Sequence, residues 1–139
     1  MLLAPKRRKF RKQMVKEIKG KSSRWNTLAF GEFWIKAITS WYLSSKEIEA
    51  ARKVVVRHIK KVGKLWIRVF PDVPFTKKGL EMPMGSGKGD VDIYKSRVKK
   101  GRILLEVSWL TKEQADKVLT SAGKKLSVQC RVAYKWELK

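Results

Sequence analysis

The chain has 139 residues, 34 of them Lys or Arg against 12 Asp or Glu, so it carries a formal net charge of +22. That length suits one domain with one core, and an apolar fraction of 43% is enough to build it. One cysteine, Cys130, excludes an internal disulfide framework, one histidine, His58, excludes a multi-histidine metal site, and no apolar run is long enough for a transmembrane helix.

A cationic surplus of this size repels itself in the compact state, and a polyanion that neutralises it stabilises the fold. Nucleic acid is the first candidate, because each neutralised phosphate releases condensed counterions. Acidic membrane lipid is the rival. The lone cysteine favours a reducing compartment. The opening Met1-Leu2-Leu3-Ala4 turns basic at once and lacks the apolar stretch of a signal peptide, while an organellar presequence would share its shortage of acids.

Residues 1–25 form a first unit. Lys6, Arg7, Arg8, Lys9, Arg11, Lys12, Lys16, Lys19, Lys21 and Arg24 face a single acid, Glu17. Apolar residues are too sparse there to offset the ordering entropy, so the segment alone should be disordered. A solvated tail and an RNA-binding arm both fit, and the density of cations favours the arm. A globular α+β domain should occupy residues 26–139.

Leu28-Ala29-Phe30-Gly31-Glu32-Phe33-Trp34-Ile35 is aromatic and reads as extended, with imperfect alternation. Ser44-Ser45-Lys46-Glu47 then announces a helix through a capping box, in which serine and glutamate satisfy each other's amides. Ile48, Ala51, Val55, Ile59 and Val62 recur at helical spacing and Gly63 supplies the stop. Arg52, Lys53, Arg57, Lys60 and Lys61 give that helix a basic back, with His58 beside them as a polar contact. Lys64 to Phe70 is strand-like, with Leu65, Ile67 and Val69 on one face and Pro71 as its end. Trp66, Arg68 and Phe70 alternate to the other face, which suits either stacking on bases or packing on the first helix.

Residues 71–90 read as one long structureless connection rich in proline and glycine, and such loops are usually functional. Strands over Val91–Val98 and Arg102–Trp109 follow, joined by a short turn at Lys99-Lys100-Gly101. Thr111, with Gln114 as reciprocal cap, opens a second helix that buries Ala115, Val118, Leu119 and Ala122 and stops at Gly123. Leu126, Val128, Cys130, Val132, Tyr134 and Trp136 alternate inward along a last strand. Trp109 and Trp136 fall at strand ends, as core or core edge. The order predicts an α+β class: a single-domain sandwich of mixed or antiparallel strands with two main helices, an extended basic N-terminal arm and a long glycine-rich loop.

No constellation supports catalysis. The Gly85-Ser86-Gly87-Lys88-Gly89 run fails as a P-loop, since Met82 and Gly89 stand where glycine and a magnesium-binding hydroxyl are needed. Asp90 likewise replaces the third glycine of a dinucleotide fingerprint. A backbone with few side chains and one lysine suits close approach to a phosphodiester chain, with an unremarkable surface hairpin as the alternative. Cys130 alternates inward, where cysteine is usually a small buried hydrophobe, and nothing brings His58 to it. Asp90 and Asp92 have no evident partner. No enzyme activity, cofactor, small-molecule substrate or membrane association is expected.

Several blocks carry a resemblance. Pro5-Lys6-Arg7, Gly20-Lys21, Leu28-Ala29-Phe30-Gly31-Glu32, Ile48-Glu49-Ala50-Ala51-Arg52, Arg57-His58, Gly63 to Asp72, Thr76-Lys77-Lys78 and Met84 to Gly89 stand in the order and spacing of one family. The chain resembles large-subunit ribosomal protein sixteen of bacteria and organelles from about Pro5 to Val132. The resemblance implies a structural constituent of the large ribosomal subunit. It would bind large-subunit rRNA beside neighbouring ribosomal proteins and position tRNA near the aminoacyl site and peptidyl-transferase region. The implied localisation is the ribosome of a bacterial cytoplasm or an organelle (mitochondrion or plastid). The arm (Lys6, Arg7, Arg8, Lys9, Arg11, Lys12, Lys19, Lys21) would thread into rRNA, with Lys60, Lys61, Arg68, Lys77 and Lys78 as further rRNA contacts. Arg52, Arg57 and His58 would face rRNA and tRNA, and Met84, Gly85, Ser86, Gly87, Lys88 and Gly89 would point toward the tRNA acceptor arms. A non-ribosomal architectural DNA-binding protein is the alternative.

Three departures stand out. Pro83 replaces an arginine that many members carry before Met-Gly and that can be hydroxylated, so that modification cannot occur here. Gly89-Asp90-Val91-Asp92-Ile93-Tyr94 replaces a common Gly-Asn-Pro-Glu with an aromatic residue. Lys124-Lys125-Leu126-Ser127 replaces a common His-Lys-Leu-Pro. Because the family pattern begins by Pro5, little room is expected for a cleavable presequence.

Overall fold

The computed structural model describes residues 3–59 and 62–138. In chain order these form β1 (Phe33–Ala37), β2 (Trp41–Ser44), α1 (Ser45–Ile59), β3 (Lys64–Ile67), β4 (Val73–Lys77), β5 (Asp90–Val98), β6 (Ile103–Ser108), α2 (Lys112–Gly123), β7 (Cys130–Tyr134) and a 3-10 turn (Lys135–Leu138). One sheet has four strands in the order β3-β6-β1-β7, and the other has three, β2-β5-β4. Every pairing between these strands is antiparallel. The expected α+β class with two main helices therefore holds.

Strand β6 is the centre, and all six of its residues are buried. A strand covered on both faces needs two covers. The first is helical: Ile48, Ala51, Val55 and Ile59 of α1 and Ala115, Val118, Leu119 and Ala122 of α2 share one core with Phe33, Ile35, Leu105 and Val107. Each fully buried Val, Leu or Ile side chain there contributes about 1.5–3 kcal/mol. Trp34 and Trp66 both pair in register with Glu106, which places these three residues on the opposite face. On that second face, Glu106 accepts from the amides of Ala29, Phe30 and Gly31, and Phe30 stacks on Trp66.

Several expectations are corrected. Residues 71–90 are not one connection, because β4 pairs with β5 from Val73 opposite Lys95 to Lys77 opposite Asp90. Proline deterred a strand reading, but β4 is an edge strand, where Pro74 costs no central ladder bond. The loop shrinks to residues 78–89. Strands β5 and β6 join at Lys99-Lys100-Gly101 yet enter different sheets. Regular pairing in β1 starts only at Phe33, and β3 ends at Ile67, although Arg68 N–H still donates to the Leu104 carbonyl at 2.9 Å. Val62 is exposed, lying beyond the last buried turn of α1. Gly123 closes α2 from inside, and the cap is Lys124 in a right-handed conformation. Leu126 and Val128 precede β7 in bends, and Val128 is buried without strand pairing. Trp109 and Trp136 are both more than half exposed: Trp109 carries the Lys64 ammonium 4.7 Å from its ring, whereas Trp136 stacks on Tyr134 at 5.5 Å and meets the buried Phe33 edge-on at 5.4 Å, a place at the core edge.

Both helix starts are legible. Thr111 and Gln114 form the reciprocal box. At α1, Glu47 N–H donates to Ser44 Oγ at 3.2 Å, and Ser44 Oγ donates back to Glu47 Oε1 at 2.8 Å. The other carboxylate oxygen, Oε2, accepts from Ser127 N–H at 3.1 Å and Ser127 Oγ at 2.7 Å, beyond the end of α2.

Candidate nucleic-acid interface

The second face of the large sheet is organised by one carboxylate. Glu106, fully buried on β6, accepts from the backbone amides of Ala29 (3.3 Å), Phe30 (2.7 Å) and Gly31 (2.9 Å), and from the Arg68 guanidinium. A buried carboxylate needs this number of donors to offset its desolvation. Gly31 is required by space: a Cβ there would lie 2.7 Å from the Val107 carbonyl oxygen. The Leu28–Gly31 stretch is therefore a clamp on Glu106 rather than a strand. Arg68, expected to contact rRNA, is tied to Glu106 and lies 5.3 Å from the Trp25 ring and 5.4 Å from Phe30. Phe30 stacks on Trp66 at 5.9 Å. Trp25, Phe30 and Glu106 carried no signal of their own in the sequence analysis. Trp25 stands among polar residues (Ser23-Arg24-Trp25-Asn26), which could have marked it as an exposed aromatic.

The N-terminal cations divide. Lys6, Arg7, Lys9, Arg11, Lys16, Lys19 and Lys21 are exposed, with Lys19 3.1 Å from Glu17. Arg8 is half-buried and donates to Gln13 at 3.2 Å. The segment lies along the domain. Leu3 reaches the core, Tyr42 donates to the Lys16 carbonyl, Lys21 bridges Lys100, and Trp25 O accepts from Ile103 N–H at 2.9 Å.

On α1, Arg57 and His58 are exposed, and His58 Nδ1 donates to the Val54 carbonyl at 2.8 Å. Arg52 is held by Glu49 through bonds of 2.9 and 2.6 Å, an ion pair that lowers the Glu49 pKa and raises that of Arg52. Lys60 and Lys61 lie outside the described residues. Arg52 and Arg68 line one open cleft, which also contains Phe30 and Trp66.

The glycine loop closes the β4–β5 hairpin. Lys77 is exposed, whereas Lys78 turns inward to donate to the carbonyls of Pro83 (3.2 Å) and Gly85. Gly85 (φ +139°), Ser86 (φ +53°) and Gly87 (φ +89°) adopt conformations that branched side chains resist, and Met84 at the tip is 97% exposed. At the base, Lys12 donates to the Lys88 carbonyl at 2.8 Å, and Lys88 donates back to the Gln13 carbonyl at 2.6 Å. Asp90, without an expected partner, pairs with Lys12 at 3.5 Å. The segment and the loop are thus brought together, two sites that sequence separates widely.

Among the described residues no group of His, Cys, Asp or Glu is placed to hold a metal ion, and no helix is long and apolar enough to cross a membrane. Cys130 is half-buried, and burial pushes its thiol up to about 11. That is the wrong direction for a nucleophile at neutral pH.

The family model described as ribosomal protein L16p/L10e matches residues 5–133, a span that takes in the basic segment, both helices and the glycine loop. The chain is 46% identical over 130 residues to the large ribosomal subunit protein uL16 of Sinorhizobium medicae (strain WSM419), covering 94% of this chain and 95% of that protein. It is 44% identical over 134 residues to the protein of the same name from Dichelobacter nodosus (strain VCS1703A), covering 96% and 98%.

Proposed function

From the premise that this chain belongs to the ribosomal protein L16p/L10e family and is a structural, non-enzymatic constituent of the large ribosomal subunit, we propose that it binds large-subunit rRNA and helps to position tRNA near the aminoacyl site and peptidyl-transferase region. Family membership displaces the architectural DNA-binding alternative. Lys6, Arg7, Lys9, Arg11, Lys19 and Lys21 supply exposed phosphate contacts. Arg8 and Lys12 set the segment's course against the domain, and Lys77 flanks the hairpin. Arg57 and His58 present a basic helix face to RNA, with Arg52 oriented behind them by Glu49. The Met84–Gly89 tip, poor in side-chain bulk, enters between backbones. Neighbouring ribosomal proteins complete the surroundings, in a bacterial or organellar ribosome.

One observation carries this reading: a net charge of +22, with most of the exposed cations lacking acidic partners among the described residues. Such contacts position by neutralising phosphates and matching shape, without reading much sequence. The affinity of the full chain for large-subunit rRNA should fall steeply with salt, with a slope of about −0.7 per neutralised phosphate for single-strand-like contacts. Filter binding across a salt series measures it. A flat profile, or equal competition by duplex DNA of the same length, would contradict the proposal.

A further inference from the structure

The N-terminal segment and the two sheets enclose an open cleft of about 850 Å³, within the range of small-ligand sites. Its lining pairs large aromatic rings with guanidinium groups. Trp25 is 55% exposed and Phe30 60%, so both rings offer surface to a ligand in the cleft. Neither is a loose side chain. The Trp25 carbonyl is held by Ile103 N–H, the Phe30 amide by Glu106, and the Arg68 guanidinium spans the two rings. Trp25 sits at φ +63°, a conformation that is strained for a bulky residue and persists only where the surroundings impose it.

Two arginines that line this cleft each keep one nitrogen without a partner, covered by the surrounding side chains. Arg8 Nη1 and Arg102 Nε are buried and have no hydrogen-bond partner among the described residues. Arg8 Nη2 donates to Gln13, and Arg102 donates through Nη1 and Nη2 to the carbonyls of Arg97 (3.0 Å) and Arg68 (3.5 Å). These bonds fix the orientation of the planes. Arg102 also lies 6.0 Å from the Trp25 ring. Burial lowers the Arg102 pKa and the Arg68 charge adds to this, with Asp72 opposing, so an added anion would favour the charged Arg102.

We infer that this cleft receives one extruded nucleotide of large-subunit rRNA, its base on Trp25 and Phe30 and its phosphate at Arg8 and Arg102. The inference rests on the rRNA-binding reading and specifies a subsite of it. Unstacked bases are taken up on aromatic and guanidinium planes, and that contact tolerates any base. An acidic peptide would satisfy the arginines but leave both rings in water. A free phosphate would do the same.

The test uses the full chain bound to large-subunit rRNA, with ultraviolet cross-linking and mass spectrometry of nucleotide–peptide adducts. A mononucleotide adduct on the peptide carrying Trp25 or Phe30 is expected. Trp25→Ala should weaken binding about tenfold, within the range of one lost base stack, and leave the salt slope unchanged. Trp25→Phe should restore most of the affinity, which a merely structural role for the larger ring would not allow. Arg8→Gln should make the slope shallower by about 0.7, the signature of one phosphate, and provides a second variant should Trp25→Ala misfold. Wild-type binding with adducts only elsewhere would overturn the inference while leaving the parent reading intact. So would Trp25→Ala affinity equal to wild type, or equal losses in Trp25→Ala and Trp25→Phe. Absence of salt-sensitive binding by the wild type would overturn both.

Discussion

Glu106 shows how one side chain settles a local fold. Its two oxygens gather three amides and the Arg68 guanidinium in a site closed to solvent. Replacing it with alanine leaves a buried cation and orphaned amides, at a cost of about 3–5 kcal/mol. Glu106→Gln keeps the volume but loses the charge and one acceptor, and should cost less. Denaturant unfolding of both variants would measure the difference, and a Glu106→Ala midpoint equal to wild type would refute the role. Cys130 makes a second test at this scale. With the thiol pushed up to about 11, thiolate is scarce, so alkylation near pH 8 should be slow in the folded chain and fast after unfolding. The raised value also means that Cys130 contributes stability below the ordinary thiol value of 9.0, lost as pH climbs from there toward 11.

At the scale of elements, Glu47 ties the start of α1 to the segment after α2. Burial raises its pKa, but hydrogen bonds from Ser127 and Ser44 outweigh that and hold it below the ordinary carboxylate value. A depressed folded pKa stabilises the chain above pH 4.5, and the contribution disappears as pH falls through the lowered value. Ser127→Ala should cost about 1 kcal/mol near neutral pH, a figure kept small because Glu47 is only half-buried. Ser127→Pro, which restores the commoner family residue, removes the N–H bond as well and should cost more. Both variants should lose acid sensitivity in thermal melts across pH 3–6, and an unchanged profile would refute the tie. This bond also marks where sequence reading stopped. Local rules found both capping serine and threonine, the buried stripes of both helices and the strands β5 and β6, because those depend on neighbours three or four residues away. They missed β4, since an edge position that accommodates Pro74 is a property of the sheet. They missed the Glu106 clamp and the Lys12–Asp90 pair for the same reason: their partners are 75 to 78 residues apart. Of the candidate RNA contacts, the exposed cations were legible from charge alone, and the Arg52–Glu49 pair from its helical spacing, whereas Arg68 is committed to a partner that only the fold supplies.

Taken whole, the molecule is a small core under a strongly cationic surface. Like charges at +22 oppose compaction, and salt screens them over about 10 Å at 0.1 M. Raising monovalent salt should therefore raise the melting temperature of the free chain while lowering its affinity for rRNA. Scanning fluorimetry and filter binding in the same buffers would record the two trends, and parallel rather than opposed curves would show that surface repulsion is not the governing term.

The crossed lysines at the base of the hairpin have a mechanical consequence. Lys12 and Lys88 each hold the other's neighbourhood by a main-chain carbonyl, across separations of 76 and 75 residues. A pull on the leading residues thus reaches Gly89 by a short cross-link instead of travelling the length of the polypeptide. Anchoring either end in a particle restrains the swing of the other, so that seating the tail and aiming the fingertip become a single act of placement.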